Sequence, residues 1–117
     1  MKLTNRVVFN SVEALNKLNK LELPVRTAYA VKKNIDALNV QIKFINERRN
    51  ELINKHGKDG TIKPEDVKAV NAFMTDFQQL LDIEEDIDVK AISIDELGDA
   101  KLSSADLDAL SFMLTFE

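Results

Sequence analysis

The sequence predicts a mainly α, α+β fold: a three-helix core with a long antiparallel helical hairpin, a small antiparallel sheet and a short C-terminal helix. Three observations predict it. From Pro24 to His56 no glycine or proline interrupts an apolar stripe of Val31, Ile35, Leu38, Ile42, Ile45 and Leu52, stepping by four, three, four and three, with Arg49 at the one missing step. After a turn, Val67, Val70, Met74, Phe77 and Leu81 repeat that rhythm. Beyond Leu81 the period turns from helical to alternating.

The first helix is expected over about residues 5–20, with Thr4 or Asn5 as N-cap and Val8, Val12, Leu15 and Leu18 on its inner side. Residues 21–23, Leu-Glu-Leu, read as an extended link before Pro24, which suits the first position of the next helix. That helix is long, roughly 50 Å at 1.5 Å per residue, and its opposite side carries Lys32, Lys33, Asp36, Lys43, Glu47 and Arg48 as a solvated face would. His-Gly-Lys-Asp-Gly at 56–60 stops it, with Gly57 suited to a left-handed cap and Asp59-Gly60 to a tight turn. The next helix restarts with Pro64 near its first position and Glu65 and Asp66 in its first turn. Two helices with matched seams and a short connection make a hairpin, and the first helix is the third member of the core.

Ile87, Val89 and Ala91 alternate with Asp88 and Lys90, and the phase shifts at Ile92 and Ile94, as in a strand with a bulge. Its available partners are residues 2–4 and 21–23, giving a small antiparallel sheet. Ser103 with Asp106 resembles a capping box, and Leu107, Leu110, Met113 and Leu114 supply the apolar face of a closing helix. No internal repeat or long linker divides the chain, so residues 1–117 form a single domain.

Composition narrows the chemistry. There is no cysteine, which removes disulfides, thiolate metal sites and a cysteine nucleophile. The single histidine, His56, excludes a paired-histidine metal site, and its place at a helix end suits a structural role. No run approaches the about 18 apolar residues of a membrane span, and the first residues lack an apolar signal region, so a soluble, cytoplasmic protein is expected. Charge is unevenly spread: residues 1–81 carry 14 Lys+Arg against 9 Asp+Glu, whereas residues 82–117 carry 2 against 11.

The acidic passage, Asp82 to Asp99, holds eight carboxylates and one lysine. As a calcium loop starting at Asp82 it has acids at the first, third and fifth positions, but Ile87 stands where the glycine belongs and Ser93 where the bidentate glutamate belongs. As a mimic of nucleic acid it is interrupted by Ile83, Ile87, Val89, Ile92 and Ile94. It offers no catalytic pair with an accompanying acid or base. Neither catalytic residue nor cofactor nor metal site is therefore expected. The basic end of the long helix, Lys43, Arg48, Arg49 and Lys55, lacks the interleaved aromatics of a single-strand binder and any helix-turn-helix signal. Phe116 is the aromatic expected to stand free of the core.

The order of features resembles a family of small uncharacterised proteins of bacteriophages and prophages. The residues that carry the resemblance are Ala-Val-Lys-Lys-Asn at 30–34, Leu-Leu-Asp-Ile-Glu-Glu-Asp-Ile-Asp-Val at 80–89 and Ser-Ser-Ala-Asp-Leu-Asp-Ala-Leu at 103–110. It spans nearly the whole chain and implies a phage origin and expression in a bacterial cytoplasm, with no catalytic residues to carry over. The resulting expectation is a non-enzymatic protein that binds a host, defence or phage protein and inhibits or redirects it, through Glu84, Glu85, Asp88, Asp95, Glu96 and Phe116. A virion or assembly component, which would self-associate, is the first alternative, and a nucleic-acid-binding protein the second.

Overall fold

A computed structural model describes residues 1–116. The chain runs β1 (Lys2–Thr4), α1 (Asn5–Asn10), α2 (Val12–Asn19), α3 (Val25–His56), α4 (Val67–Leu81), β2 (Glu84–Asp86), β3 (Ile92–Ser93), a 3-10 turn (Ile94–Leu97), α5 (Ser104–Ala109) and β4 (Leu114–Thr115). The long helix and its antiparallel partner stand as expected, and α1 and α2 pack on α3 to complete the helical core. At 1.5 Å per residue α3 measures about 48 Å, so it alone spans the 49 Å length of the molecule.

The α3–α4 hairpin projects from the rest. The radius of gyration is 16.7 Å, against about 13 Å for a compact domain of this length. The physical reason lies in the core: among the described residues, none between Ile45 and Phe77 is buried. The seam on α4 accordingly differs from its sequence pattern. Val67 and Met74 are exposed, and Phe73 joins Val70, Phe77 and Leu81 on the inner side. Phe77 meets Phe9 edge-on and stacks on Phe73, each pair with centroids 5.5 Å apart.

The single helix expected over 5–20 is two. Ser11 is fully buried, and its hydroxyl donates to the Val8 carbonyl at 2.7 Å, so a side chain competes with the helical ladder and turns the axis. Thr4 caps α1, its hydroxyl accepting from the Val7 N–H. Pro24 sits one place before the helix, as N-cap of α3. Pro64 and Glu65 precede α4, whose N-cap is Asp66, the side chain accepting from the Ala69 N–H. Asp59 and Gly60 both have positive φ, as a tight two-residue reversal requires, and Lys58 and Thr61 exchange backbone hydrogen bonds around them. Gly57 is not left-handed; its φ is −106°, and the residue is small because the Thr61 carbonyl passes where a side chain would begin.

The extended segments are short and fall elsewhere than the alternation suggests. β1 and β2 form the antiparallel pair, with Lys2 opposite Asp86, Leu3 opposite Glu85 and Thr4 opposite Glu84. β3 and β4 form a second pair, which is parallel, with Ile92 opposite Leu114 and Ser93 opposite Thr115. Residues 21–23 join no sheet. Ile87 and Val89 are buried as alternation predicts while Ala91 is exposed; Ile87 still exchanges backbone hydrogen bonds with Met1, but residues 88–91 join no strand. Instead the Asn34 side-chain amide donates to the Lys90 carbonyl at 2.8 Å and accepts from the Lys90 N–H at 3.0 Å, so one helical side chain takes the place of a ladder rung. The closing helix is real but brief: Ser103 and Asp106 form the capping box, and Met113 and Leu114 reach the core from a turn and a strand.

Candidate protein-interaction surface

The acidic passage falls into two patches joined by Asp88. The first is β2, whose three residues are all exposed and which has β1 on one side only. Two of the neighbouring carboxylates are already neutralised: Asp82 by Arg6 at 2.8 Å and Asp86 by the amino group of Met1 at 3.0 Å. Glu84 and Glu85 are not. Among the described residues, no basic nitrogen lies within ion-pair distance of Glu84, Glu85, Asp88, Asp95 or Glu96.

The second patch is built by the parallel pair. Ser93 ends β3 opposite Thr115, and its hydroxyl then accepts from the Asp95 N–H to start the 3-10 turn. Because the pair is parallel, the 3-10 turn that displays Asp95 and Glu96 and the 57% exposed Phe116 both leave the sheet at the same end. Glu84 and Glu85 stand on the other sheet. Asp88 lines a cleft of about 250 Å³ between α3 and the 88–90 segment, with Tyr29, Lys33, Asn34 and Lys90.

Elsewhere the polar groups serve the fold. The Nε2–H of His56 donates to Oδ2 of Asp76 at 2.7 Å, and Lys55 stands 3.7 Å from the same oxygen. This hydrogen bond, ahead of the opposing effect of burial, holds the Asp76 carboxyl below its ordinary range. The adjoining cleft contains one hydroxyl, that of Thr61, and it donates to the Lys58 carbonyl. Asp106 is likewise lowered: burial pushes its carboxyl up, but the Ser103 N–H and hydroxyl together with Lys17 outweigh that push. Among the described residues no cluster of His, Asp and Glu has the makings of a metal site, and no helix is long and apolar enough to cross a membrane. A larger cleft of about 510 Å³ lies in the hairpin between Arg49, Ile53, Val70, Phe73 and Met74.

Compared with protein-family models, curated proteins and solved structures, the chain has no match. The surface must therefore be read from its own residues. One part of it was hidden by the charges around it. The outer side of α3, which its lysines and acids mark as solvated, also displays Val25, Tyr29, Val40 and Phe44, exposed by 85, 64, 72 and 47%. Their signal is a step of four residues on either side of a gap, in phase with each other and out of phase with the core stripe.

Proposed function

We propose that this chain acts by binding another protein and not by catalysis, as an accessory factor that inhibits or redirects its partner. The observation that carries the reading is the set of five exposed carboxylates without a basic partner among the described residues, Glu84, Glu85, Asp88, Asp95 and Glu96, two of them on the turn that leaves the parallel pair at the same end as the exposed Phe116. Exposed charge of one sign together with an exposed aromatic suits a partner surface with an apolar socket in a basic field, where the charges steer encounter and select the partner. With the resemblance to small phage proteins as its starting point, the proposal takes that partner to be a host, defence or phage protein of a bacterial cell.

The test is affinity capture from infected cells, using the full chain as bait. Reversing Glu84, Glu85 and Asp88 to lysine, or replacing Phe116→Ala, is expected to abolish capture while circular dichroism and the thermal midpoint stay near those of the parent. Undiminished capture by both folded variants overturns the reading.

A further inference from the structure

We propose that the outer face of α3 binds the same face of a second copy of this chain, antiparallel and related by a twofold axis level with the Asn34–Ile35 peptide. The buried side of α3 is Val31, Asn34, Ile35, Leu38 and Ile45. Diametrically opposite, at 100° per residue, run Val25, Tyr29, Lys33, Asp36, Val40 and Phe44, all exposed. Their spacing is four, four, three, four, four, the same from either end. Their chemistry is matched as well: two apolar residues, a cation, an anion, two apolar residues.

A palindromic stripe of this kind is self-complementary in one register only. With the axis between residues 34 and 35, Val25 meets Phe44 of the second copy, Tyr29 meets its Val40, and Lys33 meets its Asp36, each contact occurring twice as an isologous interface demands. Sliding the copies by one turn sets Tyr29 against Phe44 but leaves Lys33 on Val40 and Asp36 on Ala37. A parallel pairing sets Lys33 on Lys33 and Asp36 on Asp36. Like charges in contact penalise that arrangement, so charge complementarity selects the antiparallel copy over both.

Nothing within one copy competes strongly for these groups. Asp36 pairs with Lys32 at 3.1 Å and Lys33 lies 5.8 Å from the Tyr29 ring centroid, both at the exposed surface. Such exposed i,i+4 contacts are weak and yield readily to a pairing across the interface. The stripe repeats at slightly more than the 3.6 residues of a helical turn, so it drifts slowly around α3 and calls for a gentle right-handed wrap of the two copies to keep Val25 on Phe44. The contact is one helix wide and about 28 Å long, which puts it at the small end of specific interfaces. It leaves β2, the 3-10 turn and Phe116 outside, but Asp88 borders it through the cleft it shares with Tyr29 and Lys33, so Glu84 and Glu85 are the residues that separate it from the acidic-surface reading.

Sedimentation equilibrium of the full chain from about 1 to 500 μM tests it. A shift from the 13.2 kDa monomer to twice that mass is expected, and Tyr29→Glu with Val40→Glu should hold the chain monomeric while its circular dichroism is unchanged. Lys33→Asp or Asp36→Lys alone should each weaken the dimer at least tenfold, and the two together should restore it, because the cross-copy pair is merely reversed. Charge reversal at Glu84 and Glu85, which lie on β2 outside the contact, should leave it intact. A chain monomeric throughout, a dimer indifferent to the Tyr29 and Val40 variants, or a double charge exchange that fails to restore it overturns the proposal. So does a monomer that uses Tyr29 and Val40 to hold a different protein captured from cells.

Discussion

His56 at the end of α3 donates its Nε2–H to Asp76 in the middle of α4 across 2.7 Å, which ties together the part of the hairpin that has no buried residues. The bond lowers the Asp76 carboxyl from its ordinary 3.8, and Asp106, held by Ser103 and Lys17, is lowered in the same sense. The folded state therefore binds these two protons less readily than the unfolded chain. Their contribution is fully present above the unfolded pKa and is lost as pH falls through the folded value. Urea midpoints taken from about pH 5 to pH 3 should fall steeply for the parent and less steeply for Asp76→Asn, whose midpoint at neutral pH is already lower.

Phe77 is the last core residue before the hairpin leaves the body, held edge-on by Phe9 and face-on by Phe73. Truncation to alanine removes both contacts and opens a cavity, so Phe77→Ala should cost about 3 to 5 kcal/mol by chemical denaturation. A loss below about 1 kcal/mol would mean that α4 does not pack as described.

Asn34 presents both ends of its amide to one backbone unit, that of Lys90. Asn34→Leu keeps the branched shape and the number of heavy atoms and removes both hydrogen bonds, leaving a donor and an acceptor unpaired at about 1 to 3 kcal/mol. Hydrogen exchange at the Lys90 amide should quicken more than at any residue of α3.

Gly57 allows the chain to cross itself. A Cβ there would stand 2.1 Å from the Thr61 carbonyl oxygen, so Gly57→Ala must push the Asp59-Gly60 reversal aside, at about 1 to 3 kcal/mol. Backbone chemical shifts from Lys58 to Thr61 should move, whereas those of α1 and α2 should not.

The helices were legible because burial writes itself into a helix as a repeat, and α3 and α4 have room for several periods. The error on α4 has the same origin. Val67 and Met74 keep the phase of the seam, but the hairpin has left the core before it reaches them, and periodicity carries no information on how far a partner extends. In the 87–91 segment alternation gives the burial of Ile87 and Val89 but not of Ala91, which is exposed, and it reports which side chains point inward and not who pairs with the backbone. Its partner is Asn34, a single polar letter in an apolar stripe. The parallel pair of β3 and β4 rests on two residues each, below the length at which any period is visible. At the surface, Glu84, Glu85, Asp88, Asp95, Glu96 and Phe116 were placed outward correctly, but their division into an edge and a turn depends on the register of Ser93 with Thr115.

β1 at residues 2–4 is paired with β2 at residues 84–86, and everything between them is helix, turn or link. The first strand has no mate until α3 and α4 have folded back and returned Leu81 to the level of Asn5, whose side chain then binds the Leu80 carbonyl. Such a distant closure is slow and entropically costly unless the intervening chain is already compact. The order of events is thereby written into the topology: the hairpin assembles first from local contacts, and the acidic edge takes shape only when the two ends of this loop are drawn together.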